Sequence, residues 1–150
     1  MNKQTRNILN VSLTLVAIYL YSFNANNIET EILGFNSFKF LISIAVLIQF
    51  LVVLPSFIFK TEKFYDLTGS LTYISVTSIA YFSLDNPTTT DTILFLYVII
   101  WAGRLGIFLF RRINKDGKDE RFDKAKKKFF WFLQYWMGQA AWVVFTAGAS

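Results

Sequence analysis

The sequence predicts an all-α protein, a polytopic transmembrane helical bundle with about five spans. Three observations predict it. Of the 150 residues, 54% are hydrophobic and only 17% are charged, against roughly 25% charged in soluble domains. The apolar residues gather in five runs, the longest near the ~20 residues that a helix needs to cross the hydrocarbon core. The connections between runs alternate between basic and base-free segments, the pattern of a chain threading a bilayer. The expected spans are 8–23, 38–59, 67–84, 92–110 and 129–147, in one integral-membrane helical domain over residues 1–150.

Helix is the expected state of every run, because lipid offers no partners to backbone N–H and C=O groups. Run 8–23 is short and carries Asn10 and Ser12. With Lys3 and Arg6 before it, it has the outline of a signal peptide, but Ser22-Phe23-Asn24-Ala25 is a poor small-x-small cleavage site. Run 38–59 is interrupted only by Lys39, Ser43, Gln49, Pro55 and Ser56. Pro55, near its end, is expected to bend or terminate the helix. Run 67–84 is weaker and rich in Ser and Thr. Asp85-Asn86-Pro87 then reads as a short turn, and Thr90 or Asp91 can cap the fourth helix. Run 92–110 is apolar except for Arg104. Run 129–147 is aromatic and closes on Gly148-Ala149-Ser150.

Charge fixes an expected orientation. Lys3 and Arg6 precede the first run, Lys60 and Lys63 follow the second, and nine basic residues lie between Arg111 and Lys128. The connections at 24–37, with Glu29 and Glu31, and at 85–91, with Asp85 and Asp91, hold no base. Five spans put all three basic segments on one side. The N-terminus is therefore expected in the cytoplasm and the C-terminus outside, as a multi-pass protein of a bacterial inner membrane. Against its nine bases, segment 111–128 carries four acids, so this one loop accounts for the whole net charge of +5. A nucleic-acid binder spreads its bases more widely, so no nucleic-acid partner is expected; membrane lipids are.

There is no cysteine and no histidine. Disulfides, thiolate nucleophiles, Ser-His-Asp triads and His- or Cys-ligated metals are thereby excluded within these residues, and no metal site is expected. A proton donor has to be Tyr, Asp, Glu or Lys.

Four groups of residues can carry chemistry. Arg104 lies seven residues before Arg111, ~10 Å inside the inner boundary at ~1.5 Å per residue. A charge near a helix centre costs roughly 2.5–3.5 kcal/mol on insertion scales, so Arg104 either faces a pocket or snorkels to the interface. Trp101, Arg104, Phe108 and Arg111 share one helical face, and Gly103 and Gly106 beside Arg104 permit close helix approach. The loop from Arg111 to Arg121 mixes both signs. It reads as an ordered network whose arginines suit a phosphate-bearing ligand, or as a solvated loop with Lys126, Lys127 and Lys128 on anionic lipid. In segment 61–70, Asp66 with Thr68 and Ser70 can cap the third helix, or Tyr65 and Asp66 can sit beside the fourth helix's arginines. In the last run Tyr135, Gln139 and Trp142 share a face. Gln139, like Gln49, needs a partner in lipid, through a helix–helix hydrogen bond or a ligand.

Three ordered motifs carry a resemblance. Glu62-Lys63-Phe64-Tyr65-Asp66-Leu67-Thr68-Gly69-Ser70, then Trp101-Ala102-Gly103-Arg104-Leu105-Gly106, then Arg111-Arg112 followed by Gly117-Lys118-Asp119 and Arg121-Phe122-Asp123, resemble the DUF1295 family over roughly residues 40–145. That family is placed among the steroid 5-alpha-reductase-like membrane enzymes. The resemblance implies a mostly seven-span fold and NADPH-dependent reduction of a conjugated C=C bond in a lipid or sterol-like substrate. It implies that Asp66, Arg104, Arg111, Asp119 and Arg121 face the cofactor or substrate cavity. Arg104, Arg111, Asp119 and Arg121 are the expected cofactor contacts; Tyr65, as proton donor, and Asp66 are the expected catalytic pair. Family members also carry a later Ser-Arg-His-Pro-Asn-Tyr-like segment that helps bind NADPH. Without a counterpart here, the chain is expected to be the N-terminal portion of such a protein, with an incomplete cofactor site. An isoprenylcysteine-methyltransferase-like enzyme using S-adenosylmethionine, and a non-catalytic membrane scaffold, stand as the alternatives.

Overall fold

A computed structural model describes residues 2–23 and 30–148. Residues 24–29 of the first expected connection, with Glu29 and the Asn24-Ala25 half of the cleavage flank, and Ala149-Ser150 lie outside the described residues. Five α-helices dominate: α1 (Lys3–Ser22), α2 (Ser37–Ile58), α3 (Tyr65–Phe82), α4 (Thr89–Asp116) and α5 (Phe129–Ala147). They coincide with the five expected runs, with α4 reaching six residues further into the charged loop than 110.

Two of the helices, α2 and α4, are long and apolar enough to cross a membrane. The others are helical but less apolar: α1 opens with Lys3 and Arg6, α3 is rich in Ser and Thr, and α5 holds two glutamines and several Trp and Tyr residues. The bundle nevertheless turns large apolar side chains outward. Leu13 and Tyr19 of α1, Leu51 of α2, Ile100 and Phe108 of α4 and Trp142 of α5 are all exposed. A soluble monomer rarely shows apolar patches on that scale.

The faces that pack are narrow at the edges and broad in the middle. On α1 the buried positions Asn7, Val11, Ile18 and Ser22 follow one stripe, which lies against α5. On α4 they are Ala102, Gly106 and Ile113, a seam of mostly small residues against α3. Small residues there let the two helix backbones approach closely. A Cβ at Gly106 would stand 2.7 Å from the Ser70 Cβ, so the expected close approach occurs there; at Gly103 it would meet nothing within 4 Å. Helices α3 and α5 form the centre and α2 packs on both. Gln49, fully buried, donates from Nε2 to the Thr72 hydroxyl at 3.0 Å, the α2–α3 hydrogen bond its polarity requires.

Local signals decide the ends. Asn36 caps α2, accepting from the Lys39 N–H at 3.2 Å. Helix α2 runs through Pro55 and ends at Ile58, so the proline terminates it only three residues later. The α4 cap is Thr88, neither Thr90 nor Asp91: the Thr88 hydroxyl accepts from the Asp91 N–H, and the Asp91 carboxylate accepts from the Thr88 N–H at 2.8 Å. This is a reciprocal capping box. Gly117, at φ 80°, ends α4 in the left-handed region. Helix α3 has no side-chain cap, so Asp66 does not play that role. A feature absent from the sequence reading is a short hairpin, β1 (Glu31–Ile32) with β2 (Phe35–Asn36), turning through Leu33 and Gly34, both at positive φ.

Candidate functional site

The loop after α4 is not a solvated tether. Two 3₁₀ turns, Glu120–Phe122 and Ala125–Lys127, fold it back over the bundle. Phe122 and Ala125 are buried in a cluster with Val11, Val53, Phe132 and Trp136. These two apolar residues among the charges are the anchors. Of the two readings of the loop, the ordered network is the one the structure displays.

Glu62 fixes the loop from below. It is 5% exposed, accepts the Asp119 backbone N–H at 3.0 Å and pairs with the Lys126 ammonium at 2.8 Å. A buried carboxylate is tolerated when it is both paired and hydrogen-bonded, and Glu62 is both. Asp119 in turn starts the first 3₁₀ turn, accepting from the Arg121 N–H at 3.0 Å, while the Arg121 Nε contacts its two oxygens at 3.0 and 2.9 Å. Those bonds to Arg121 hold the Asp119 carboxyl below the usual aspartate range and push the Arg121 guanidinium further up. The guanidinium carbon also lies 5.6 Å from the centre of the Phe122 ring.

Across from this pair, Asp66 in the first turn of α3 meets Arg112 of α4, with 3.5 Å between carboxylate and guanidinium. The two pairs wall one cleft of about 600 Å³, together with Asp116, Lys118 and Glu120. Four carboxylates and three cations face it. Arg112 and Arg121 keep about half of their side-chain surface open, at 45% and 55%. Their planar forks suit a phosphate or carboxylate. Each is already paired, so an entering anion exchanges with Asp66 or Asp119 rather than filling an empty socket. The arginine forks match the phosphate end of a nucleotide cofactor, and Leu109 and Ile113 of α4 add the apolar part of the cleft wall.

Tyr65, next to Asp66, turns away from the charges. Its ring lies 4.9 Å from Phe122 and 5.3 Å, edge to face, from Trp136, and its hydroxyl donates to the Tyr135 carbonyl at 3.1 Å.

Of the six expected site residues, the structure brings Asp66, Asp119 and Arg121 to one cleft, with Tyr65 adjoining it. Arg104 and Arg111 are elsewhere. Both are exposed, and neither forms an ion pair among the described residues. Arg104 lines a shallow pocket of about 260 Å³ with Trp101, Leu105 and Phe108 on the outer face of α4. The residues that sequence reasoning passed over are Arg112, Glu62 and Lys126. Arg112 follows from helical phase once the seam is known: Ala102, Gly106 and Ile113 are the buried positions of α4, and at ~100° per residue Arg112 lies beside that seam while Arg111 lies ~200° from Ile113. Glu62 opens the first of the three motifs, but its role had no local signal, because its partners are 57 and 64 residues away.

A family model described as "Protein of unknown function (DUF1295)" matches residues 50–149, which takes in α3, α4, the folded loop and α5. No curated protein and no solved structure matches the chain.

Proposed function

Because this chain belongs to the DUF1295 family, we propose that it contributes the cytoplasmic-side cofactor cleft of a multi-pass membrane reductase. The reaction is NADPH-dependent reduction of a conjugated C=C bond in a lipid or sterol-like substrate, of the steroid 5-alpha-reductase-like kind. All five helices span the bilayer in this reading, with the loop after α4 on the cytoplasmic side. The observation that carries it is the meeting of segment 62–70 with loop 111–128: Asp66–Arg112 and Asp119–Arg121 face each other across one cleft.

NADPH, when bound, would supply a hydride for the substrate's β-carbon, and a proton from solvent would complete the α-carbon. The chain's own part is to bind and orient. The Arg112 and Arg121 forks receive the phosphate-bearing end, and Lys118 adds a third cation at the rim. Asp66 and Asp119 hold both forks in place until the anion arrives, which limits the side-chain entropy lost on binding. Glu62, through Lys126 and the Asp119 N–H, keeps the loop from moving off the bundle. Tyr65 and Phe122 seal the membrane side against water.

A second reading has its own support. Carboxylates outnumber cations in the cleft, which suits the sulfonium and amine of S-adenosylmethionine in a methyltransferase-like enzyme. Thermal unfolding of the full chain in detergent separates the two. We expect NADPH to raise the midpoint more than NADH, since only NADPH carries the 2′-phosphate, and Arg121→Ala to weaken the effect about tenfold, the loss of a charge-assisted fork. Stabilisation by S-adenosylmethionine alone favours the second reading. No shift with any of the three overturns the cleft as the phosphate-binding part of either cofactor site.

A further inference from the structure

A cavity of about 330 Å³ opens along α5 between Gln134, Tyr135, Gly138, Gln139 and Trp142, with Tyr65 of α3 as its sixth wall. It is separate from the charged cleft, with Tyr65 standing between. Three observations mark it as more than loose packing. The Gln139 Oε1 is buried and has no hydrogen-bond partner among the described residues. At Gly69 a Cβ would stand 2.5 Å from the Gln139 Nε2, so α3 is cut back to admit this carboxamide. At Gly138 a Cβ would meet nothing within 4 Å, so the space beside the carboxamide is left open.

We propose that this cavity binds the polar end of a ring-bearing, membrane-soluble molecule, with the Gln139 carboxamide as its hydrogen-bonding anchor. The chemistry follows from the walls. Tyr65, Tyr135 and Trp142 offer flat aromatic surface, which packs best on rings. Gln139 is the eleventh of the nineteen residues of α5, far from either end, where water partners are scarce and an unpaired amide is costly. A carboxamide presents a donor and an acceptor, so it serves a hydroxyl or a carbonyl. Trp142, 66% exposed, stands at the mouth. The inference rests on α5 being a span and not on the reduction chemistry, and the nucleotide shifts above test that chemistry separately.

The test uses the full chain in detergent with two tryptophan quenchers, 6-bromo-2-naphthol and 2-bromonaphthalene, which differ only in the hydroxyl. We expect saturable quenching by the naphthol, at least tenfold tighter than by bromonaphthalene, and its loss in Trp142→Phe. Gln139→Leu should weaken the naphthol about tenfold, the effect of one buried hydrogen bond, and leave bromonaphthalene unchanged. Gly138→Leu, which fills open space and removes a helix-weakening glycine, should abolish the saturable phase. Should Gln139→Leu not fold, the ratio of the two quenchers and the Gly138→Leu variant decide alone. Equal binding of both quenchers, or unaltered binding in Gly138→Leu, overturns the proposal.

Discussion

At Glu62 a charged group lies buried among partners drawn from the far side of the sequence, and the loop depends on it. Replacing Lys126 with Met strands that carboxylate. We expect a loss of about 2–3 kcal/mol, below the ~3–5 of a fully buried pair because Lys126 keeps a fifth of its surface exposed. Denaturant unfolding in detergent checks this, and adding Glu62→Gln to Lys126→Met should cost less than the two single changes summed. Asp119 makes a pH-dependent contribution of known sign. Its carboxyl is held below the ordinary 3.8 by Arg121, so in the window below 3.8 the unfolded chain binds more protons than the folded one. Its stabilisation is complete above that value and is lost as pH falls through the lower, folded value. Unfolding midpoints measured from pH 6 down to pH 2.5 should fall less steeply at the acid end in Asp119→Asn than in the unaltered chain. How far single residues were legible depended on distance. Asp66 and the Asp119–Arg121 pair stand within recognisable motifs, and Arg112 follows from helical phase. Glu62 finds its partners only once the loop has folded, and no local pattern encodes that.

Between elements, contact along α3 and α4 is set by what is missing from side chains. Gly106→Ala drives a methyl to within 2.7 Å of the Ser70 Cβ and should destabilise by about 1–3 kcal/mol, as overpacking does. Gly103→Ala, three residues away, meets nothing and should stabilise by up to about 1 kcal/mol through helix propensity. Thermal midpoints of the two variants should move in opposite directions. The sequence treated both glycines alike, since spacing alone does not say which one faces a neighbour. The five helices were legible nearly to their ends, because apolar runs and flanking charges bound them. Their caps were less so: Thr88, Thr90 and Asp91 are all good cap types, and only the reciprocal bond geometry selects Thr88. The β1–β2 hairpin escaped because Leu33-Gly34 is an unusual pair for a turn needing positive φ at both positions.

Over the whole molecule, the cleft owes its position to connectivity. Helices α3 and α4 run antiparallel, which returns loop 111–128 to the end where segment 62–66 begins, and Phe122 with Ala125 ties it down. The charge alternation along the sequence already implied that these two segments share a side, and the ion pairs between them follow from it. Neither the alternation nor the motifs encode which arginines turn inward; the resemblance grouped Arg104 and Arg111 with Asp66, Asp119 and Arg121, and the fold places those two elsewhere. In the proposed topology this charged end faces the cytoplasm across a bilayer that α3 and α4 both cross. The natural lack of cysteine makes the direct test clean: single cysteines at Lys118 and at Asn86, labelled in intact cells and then in opened ones with a membrane-impermeant maleimide. Asn86→Cys should react in intact cells and Lys118→Cys only after opening. Reaction of Lys118→Cys from outside, or of both positions from the same side, would contradict that topology.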